Sequence, residues 1–257
     1  MQRLFPRPGP GARPEPALDG VLGLADAYAY PADRPAGTPY LRANMVGSLD
    51  GAARADGRSA PLSSPADMRL FGTLRALADL ILVGAETVRQ EGYRPARARD
   101  AFAARRAAAG QPPAAAIGVV SRRLDLDFTA PLFADPVVPT LVLTGAGAPD
   151  RALAAARAAG ARVVVTGEGD GVDPVRVVRE VAALGFTRLL HEGGPRILAQ
   201  FAAADVLDEL CLTLSPLLTG GDAPRIMNGP GVVPPARFAP VSVLEEDGFL
   251  FTRYVRA

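Results

Sequence analysis

The sequence predicts an α/β protein of three layers, in which helices cover both faces of a mostly parallel central sheet. From Tyr40 onward, short apolar runs of strand length alternate with segments whose apolar residues have helical spacing. This alternation is typical of parallel strands joined by crossover helices. Near the end of the chain, two β-rich runs flank Asp247 and Gly248, which predicts a C-terminal antiparallel hairpin. With 257 residues, 49% of them apolar, the chain can fill one large core.

The elements follow from these patterns in chain order. Eight prolines fall within residues 1–39, and we interpret this region as an N-terminal arm, with one helix at 17–30, packed on a domain of residues 40–257. The predicted strands are residues 40–45, 80–83, 115–120, 140–144, 162–166, 188–191 and 209–214. The helix after Ser64 is well marked, because Ser64 can act as its N-cap, Pro65 suits the first helical position and Asp67 suits the first turn. Further helices are expected at 100–109, 151–159 and 174–184.

The predicted hairpin would form an antiparallel edge of the sheet. Exposed edges often pair or pack with a second subunit, so we expect a homodimer.

Charge and composition limit the partners. The formal net charge is +1, from 28 basic and 27 acidic residues, so we expect neither nucleic acid nor a membrane surface as a partner. No apolar run of about 20 residues occurs, and the N-terminus lacks the apolar core of a signal peptide. The single cysteine, Cys211, cannot form an internal disulfide and suits a buried strand. These features favour a cytoplasmic protein.

Two absences in the composition exclude classes of chemistry. The sequence contains no lysine, so Schiff-base, pyridoxal phosphate and P-loop chemistry lack their amine. With one histidine and one cysteine, a zinc site built on imidazole and thiolate ligands is not expected, and we predict no metal. His191 would need a nucleophilic serine in a G-x-S-x-G motif to form a serine hydrolase triad, and the sequence has no such motif. We therefore expect His191 to have a structural role at the end of a strand.

Two loops at the carboxyl ends of predicted strands carry glycine where a helix begins. In the first, Gly84 and Thr87 follow a buried strand. In the second, Gly193 and Gly194 precede a helix that carries Arg196. Glycine lets a phosphate approach the main-chain N–H groups of a helix N-terminus, so both loops indicate a pyrophosphate site, although either is also compatible with a plain turn.

Other loops at the same edge add candidate residues. Arg122 and Arg123, the paired arginines after Ser121, can accept a 2′-phosphate and would favour NADPH over NADH, with solvated surface arginines as the alternative. The loop at 142–150 only partly matches the dinucleotide fingerprint, but Thr144 could line an adenine or pyrophosphate pocket. Glu192 would repel a phosphate, so we expect it to face the substrate.

The long polar segment 44–64 indicates a functional loop. Within it, Ser48 and Asp50 could hydrogen-bond a polar ring or sugar, although Asp50 before a glycine is also a plain turn signal. Asp67 could face the same pocket, or could simply complement the helix dipole.

Five segments within residues 41–254 carry a family resemblance: ANMVGSLDG, the helix that begins with SSP, ADLILVGAETV, LLHEGGP and DVLDELCLTLSPLLTGG. In this order they resemble the C-terminal reductase domain of the bifunctional riboflavin biosynthesis proteins. The resemblance implies a dihydrofolate-reductase-like fold, a dimer, and use of NADPH to reduce the ribosyl group of an aminopyrimidine ribose phosphate to a ribityl group.

The resemblance also implies residue roles. The cofactor side would include Gly84, Thr87, Val88, Ser121, Arg122, Gly193, Gly194 and Pro195. The loop patterns described above add Thr144 and Arg196 to these candidates. The substrate side would include Ser48, Asp50 and Glu192, with Glu192 and Asp50 as the catalytic candidates. The residues themselves, and not the resemblance, add Asn44, Asp67 and Arg94 as substrate candidates. The sequence departs from the family pattern in two ways. The deaminase half is absent. In addition, RQEGYRPAR stands where the family has an aspartate-rich segment and an arginine that bind the ribose phosphate, so Arg94 or Arg97 would have to bind this phosphate.

Three functions remain open from the sequence. The first is the pyrimidine reductase, in which Glu192, Asp50 or water supplies the proton. The second is a dihydrofolate or pterin reductase, in which Asp67 would serve a protonated pterin ring. The third is a nucleotide-binding protein without turnover, which the altered segment would permit.

Overall fold

The computed structural model describes residues 1–6 and 18–257, and within these ranges it contains one sheet of ten strands. The strands are β1 (Gln2–Phe5), β2 (Tyr40–Gly47), β3 (Leu80–Gly84), β4 (Ala116–Val120), β5 (Leu141–Thr144), β6 (Arg162–Val165), β7 (Arg188–His191), β8 (Glu209–Leu214), β9 (Phe238–Glu246) and β10 (Phe249–Arg256). The α-helices are α1 (Val21–Ala27), α2 (Pro65–Leu77), α3 (Ala85–Glu91), α4 (Asp100–Ala108), α5 (Pro131–Ala134), α6 (Asp150–Ala158), α7 (Pro174–Ala183) and α8 (Pro195–Ala203). A 3₁₀ turn spans Ala60–Leu62.

The strand order is β1-β9-β10-β8-β2-β7-β3-β4-β5-β6. All pairings from β8 to β6 are parallel, whereas β10 pairs antiparallel with both β8 and β9. This confirms the mostly parallel sheet with an antiparallel C-terminal hairpin. Because β7 lies between β2 and β3, the loops that follow these three strands leave the sheet side by side. Open α/β sheets bind ligands at such an edge.

Helices cover both faces of the sheet, as the three-layer prediction requires. On one face, Leu74 of α2 packs in the same buried cluster as Ile81 of β3. On the other face, Phe201 of α8 packs with Leu80 and Leu82 of the same strand. Successive residues of a strand point to opposite faces, so the continuous apolar run of β3 serves both clusters at once.

The ends of two helices show how local sequence positions them. Ser64 caps α2, because its hydroxyl accepts a hydrogen bond from the Asp67 amide at 3.1 Å, and Pro65 occupies the first turn. This confirms the predicted helix start. Helix α7 has an equivalent cap in Asp173, whose carboxylate accepts from the amides of Val175 and Arg176.

The position of the hairpin corrects one expectation. The β9–β10 hairpin does not form the edge of the sheet, because β1 pairs antiparallel with β9 and covers it. The arm therefore contributes a strand, and its helix is shorter than expected, at Val21–Ala27. The remainder of the arm, residues 7–17, lies outside the described ranges. The homodimer was expected because the hairpin would be an exposed edge, and β1 covers that edge. The homodimer therefore stays a prediction without this support.

No helix within residues 1–6 and 18–257 has the length and apolar character needed to cross a membrane.

Candidate active site

The two glycine-bearing loops meet at the carboxyl edge of the sheet. The amide of Gly84 donates to the carbonyl of Gly193 at 2.9 Å. A Cβ atom on Gly194 would lie 2.7 Å from Oγ1 of Thr87, and one on Gly84 would lie 3.1 Å from Cγ1 of Ile197. Gly193 has a φ of +81°, which favours glycine. The close packing of the two loops is therefore a physical reason for glycine at these positions.

Helices α3 and α8 both begin at this junction without a side-chain cap. Their N-cap residues are Gly84 and Gly194, whereas Ser64 and Asp173 cap α2 and α7. The first amides of a helix have no partner within the helix, and they carry a partial positive charge. The start of α8, at Gly194 and Pro195 on the wall of a cleft, therefore suits an anionic group.

A cleft of about 630 Å³ lies over this junction. Seven of the predicted cofactor residues line it: Gly84, Thr87, Ser121, Arg122, Gly194, Pro195 and Arg196. Arg123, the second of the paired arginines predicted for the 2′-phosphate, also lines it, and so does Arg54, which the sequence did not single out. Its volume is within the range of small-molecule sites.

The arginines of this cleft differ in their pairing. Arg196 lies 4.0 Å from Glu86, and Arg89 lies 3.5 Å from Asp125. In the part of the chain that the structure describes, Arg122 and Arg123 form no ion pair, so both guanidinium groups are available to a bound anion.

A second cleft, of about 420 Å³, continues from the first. The two clefts share five lining residues: Arg54, Thr87, Gln90, Gly194 and Pro195. Four of the predicted substrate or catalytic residues line the second cleft, namely Asn44, Asp67, Arg94 and Glu192. Reactants bound in the two clefts would meet where these walls join.

Glu192 is held in the second cleft by Arg75 and Tyr93. The Nε and Nη2 atoms of Arg75 donate to the two carboxylate oxygens of Glu192, each at 2.8 Å, and the Tyr93 hydroxyl also donates to Glu192. The Glu192 side chain is 4% exposed. Although burial lowers the pKa of Arg75, the charge of Glu192 raises it overall, and burial raises the pKa of Tyr93 well above its usual value. Glu192 is thus a carboxylate that accepts hydrogen bonds from two permanent donors.

Asp67 is a second buried acid in the same cleft. Its Oδ1 accepts from the Thr213 hydroxyl at 2.7 Å, and its Oδ2 accepts from the Ser63 hydroxyl at 2.5 Å. Burial raises the pKa of Asp67, and the two hydrogen bonds act against this rise. Nearby on the cleft wall, Oδ1 of Asn44 is buried without a hydrogen-bond partner.

Five sequence-predicted residues lie outside the lining of both clefts, namely Ser48, Asp50, Val88, Thr144 and Gly193. Asp50 accepts hydrogen bonds from the Ser48 hydroxyl and from the amides of Thr219 and Gly220. These contacts lower the pKa of Asp50 below its usual value, the Ser48 hydroxyl contributing most. Asp50 and the buried Ser48 therefore hold a turn against the loop after β8, and the predicted substrate contact and catalytic role of Asp50 have no support in this placement.

The other three are Val88, Thr144 and Gly193, of which Gly193 is bonded to Gly84 and His191 behind the cleft wall. Val88 points from α3 into the apolar cluster on one face of the sheet. Thr144 is fully buried, and the glycine that follows it is covered, since a Cβ atom on Gly145 would lie 2.1 Å from the Gly169 carbonyl oxygen. The loop around Gly169 therefore separates Thr144 from the cleft, and the cleft is lined there by Gly171 and Val172.

His191 supports the second glycine loop from behind. Its ring is fully buried, and its Nδ1 accepts from the Gly193 amide at 3.0 Å. Burial lowers the pKa of His191 to about 3, so the ring is neutral at physiological pH. This agrees with the predicted structural role. In the described ranges, no three histidine, cysteine or acidic side chains are grouped to hold a metal ion.

Sequence reasoning missed Arg75 and Tyr93 as functional candidates. Arg75 lies four residues after Phe71 on α2, and its guanidinium packs over the rings of Phe71 and Tyr93 at 4.6 Å and 4.8 Å. A charged residue at the spacing of an apolar helix face was the available signal for Arg75. Tyr93 carried no signal of its own beyond the unusual segment that contains it.

Comparison with protein families decides the relationship. The model of the RibD C-terminal domain matches residues 39–248. The chain belongs to this family. Two relatives carry the name 2,5-diamino-6-ribosylamino-4(3H)-pyrimidinone 5′-phosphate reductase. The one from Archaeoglobus fulgidus is 28% identical over 216 residues, or 83% of this chain and 97% of the relative. The one from Aquifex aeolicus is 31% identical over 159 residues, or 62% of this chain and 66% of the relative.

Among solved structures, a pyrimidine reductase-like protein from Corynebacterium diphtheriae has the same fold. It superposes with a TM-score of 0.77 at 24% identity, over 91% of this chain and 98% of that chain. The fold of this RibD C-terminal domain protein is thus shared over nearly the whole length of both chains.

Proposed function

We propose that this RibD C-terminal domain protein uses NADPH to reduce the ribosyl group of an aminopyrimidine ribose phosphate to a ribityl group, as in riboflavin biosynthesis. The names of its relatives support this reaction. The single observation that carries it is the junction of the two clefts, because Thr87, Gly194 and Pro195 line both. A reductase needs such a junction in order to bring the hydride donor and the acceptor into contact.

The first cleft has the donor set that NADPH requires. The start of α8 beside the Gly84 loop suits a pyrophosphate, and Ser121, Arg122 and Arg123 suit the 2′-phosphate of the adenosine part. NADPH, when bound, supplies the hydride.

The second cleft suits a polar heterocycle that carries a phosphate. Arg94 lines it and is the candidate for the phosphate, whereas Arg97 pairs with Asp135 at 2.7 Å and does not line it. The Glu192 carboxylate, oriented by Arg75, can accept hydrogen bonds from the opened sugar or from the ring amines. The Tyr93 hydroxyl also donates to this carboxylate, and it adds a group through which a proton can be held.

The protein contributes mainly by holding the reactants in register. Orientation of two bound reactants can supply about 7–11 kcal/mol of the barrier. The ion pair between Arg75 and Glu192 provides such orientation, because two parallel hydrogen bonds set both the position and the plane of the carboxylate.

The deciding experiment is oxidation of NADPH, followed by absorbance, with the aminopyrimidine ribose phosphate and with dihydrofolate offered separately. We expect turnover with the pyrimidine. NADPH binding without oxidation of either substrate would instead indicate a nucleotide-binding protein without turnover.

A second candidate, the reduction of a dihydropterin, is favoured by one observation. Asp67 is a buried acid on the wall of the substrate cleft, and such an acid can bind the amino and ring N–H groups that pterins share with aminopyrimidinones. Turnover with dihydrofolate alone would make this second candidate the function.

The cofactor site has its own test. Gly193→Val places a branched side chain where φ is +81°, so the loop has to shift away from the pyrophosphate. We expect NADPH affinity to fall about tenfold or more, since one hydrogen bond to a charged group is worth about 1.5–3 kcal/mol. Gly160→Val is the matched control, because Gly160 has a φ of +78° with open space around it and lies outside both clefts. Equal affinities for NADPH in the two variants would show that the loop at Gly193 is not part of the cofactor site.

The preference for NADPH over NADH tests the arginines. Arg122→Ala and Arg123→Ala should each lower the affinity for NADPH more than that for NADH, because only NADPH carries the 2′-phosphate. An unchanged preference in both variants would contradict the assignment.

A further inference from the structure

We propose that Arg54 binds the pyrophosphate of the bound dinucleotide and holds it against the start of α8. The inference rests on the proposed function, because it concerns the same dinucleotide in the first cleft. It assigns a cation to the pyrophosphate, whereas Arg122 and Arg123 are assigned to the 2′-phosphate. Arg54 would thus be a positioning residue for the cofactor that no motif of the sequence indicated.

The Arg54 side chain is a cation without a partner at the junction of the two clefts. Among the arginines that the structure describes, Arg54 alone lines both clefts. Within the described ranges its guanidinium forms no hydrogen bond and no ion pair, and the residue is half-buried. A guanidinium carries five N–H donors, so all five are available to a ligand.

The backbone beside Arg54 is tied to the start of α8 by a short strap, residues 224–228. The Ala53 amide donates to the carbonyl of the first residue of the strap at 2.8 Å. The amide of the last residue of the strap donates to the Pro195 carbonyl at 3.1 Å. Both ends of the strap line the first cleft, as Pro195 does. The strap therefore fixes the position of the Arg54 backbone relative to the helix start.

The turn that carries Arg54 is held by hydrogen bonds on both sides. On one side, the Ser48 hydroxyl accepts from the Ala52 amide at 2.9 Å. On the other side, Ala55 and Arg58 exchange two backbone hydrogen bonds at 2.9 Å and 3.0 Å. The backbone of Arg54 is therefore held in place, while its side chain keeps the rotamer freedom that a ligand would remove.

The position of the pyrophosphate within a dinucleotide favours this group as the ligand of Arg54. If Arg122 binds the adenosine end and the nicotinamide reaches the second cleft, the pyrophosphate lies between them, near the junction. At the junction, the start of α8 offers main-chain amides without a side-chain cap, which carry a partial positive charge. Arg54 adds a full charge and a planar set of donors that matches phosphate oxygens.

The test measures the affinities of wild-type protein and of Arg54→Ala for NADPH and for NADH by calorimetry. Both cofactors carry the pyrophosphate, so Arg54→Ala should lower both affinities by the same factor. We expect about tenfold, the lower end for one hydrogen bond to a charged group, because Arg54 is only half-buried. Arg122→Ala should instead change the preference between the two cofactors. Unchanged affinities in Arg54→Ala, or a loss confined to NADPH, would overturn the inference.

Two further variants separate the position of the charge from its mere presence. Arg58→Ala is the matched control, because Arg58 lies on the same turn, is exposed and lines neither cleft. Its cofactor affinities should equal those of wild-type protein, and a tenfold loss there would overturn the inference. Arg54→Lys keeps the charge without the planar set of donors, so it should recover part of the affinity.

The salt dependence of binding is a second readout. Added salt should weaken NADPH binding to wild-type protein more than to Arg54→Ala, because screening acts on a charge that the variant lacks. An identical salt dependence in both proteins would contradict a contact between Arg54 and the pyrophosphate.

These binding measurements separate the inference from the proposed function, since they require no turnover. If wild-type protein binds NADPH but oxidises it with neither substrate, equal losses of NADPH and NADH affinity in Arg54→Ala still support the inference, and only the proposed reaction fails. If Arg54→Ala keeps its cofactor affinities and only its KM for the pyrimidine ribose phosphate rises, Arg54 binds the substrate phosphate. The inference is then overturned while the proposed reaction stands.

Discussion

Two glutamates of this protein have the same kinds of partner but different roles. Glu209 is bound by Arg42, by Arg253 and by the Tyr40 hydroxyl at 2.8 Å. Glu192 is bound by Arg75 and by the Tyr93 hydroxyl. Both groups thus combine a carboxylate, a guanidinium and a phenol. The difference between them lies in their position relative to the sheet.

The Glu209 cluster lies inside the molecule and joins the arm to the sheet. The side chains of Glu209 and Arg42 are fully buried. Arg42 also donates to the carbonyl of Tyr28, and Arg253 donates to the carbonyl of Ala27, at the end of α1. Every contact of this cluster is made within the protein, so its role is structural.

Glu192 follows the last residue of β7 and therefore stands at the edge where the loops meet. Its partner Arg75 is 20% exposed and lines the substrate cleft. The same residue types therefore stabilise the fold when they lie within the sheet and can contact a ligand when they lie just beyond its carboxyl edge.

The largest effect is expected from Glu209→Gln. Removing this charge leaves Arg42 buried without its counter-ion, which should lower the free energy of unfolding by about 3–5 kcal/mol. Urea denaturation measures this loss. The control is Glu180→Gln, in an exposed pair with Arg179, which should change stability by less than about 1 kcal/mol. A similarly small loss of stability in Glu209→Gln would contradict the structural role assigned to Glu209.

Glu192→Gln should have the opposite profile. The neutral amide cannot hold the Arg75 guanidinium through two charged hydrogen bonds, so both side chains lose their fixed position in the cleft. A shift of a bound reactant by about 1 Å can lower the rate about 100-fold. We expect kcat/KM to fall by about this factor, while the loss of stability stays below that of Glu209→Gln. Steady-state kinetics and urea denaturation of the same preparations measure both. A stable variant with full activity would show that Glu192 is as structural as Glu209.

A pair of tyrosine variants sharpens the comparison, because each removes one hydroxyl. Tyr40→Phe should lower the free energy of unfolding by about 1.5–3 kcal/mol, since its hydroxyl binds a buried charge. Tyr93→Phe should mainly change KM and kcat, because its hydroxyl binds the carboxylate of the substrate cleft. If both variants lose stability equally and keep their kinetics, the two clusters do not differ in role.

The smallest effect concerns acid stability. Although burial raises the pKa of Glu209, Arg42 and Arg253 lower it to about 2, from an ordinary value of 4.5. The ionised group therefore stabilises the fold fully above pH 4.5, and this contribution is lost as the pH falls towards 2. Glu209→Gln should flatten the pH dependence of stability in this window. Thermal unfolding across the window measures it, and an unchanged slope would contradict the assignment.

Features that depend on neighbours along the chain could be predicted from the sequence. The alternation of apolar runs predicted the parallel strands, and Ser64 with Pro65 predicted the start of α2, because a cap acts over three residues. The glycines at 84, 193 and 194 indicated the cofactor loops, because a helix start without a side-chain cap is a local property.

Only the tertiary structure decided which side chains share a cleft. Arg75 meets Glu192 across 117 positions of the chain, and the covering of the hairpin by β1 joins the two ends of the molecule. Asp50 and Thr144 lie after predicted strands, as the lining residues do. However, the loop after β8 donates hydrogen bonds to Asp50, and the loop around Gly169 covers the glycine after Thr144. Local spacing sets the direction of a side chain, whereas its partner depends on which strands become neighbours in the sheet.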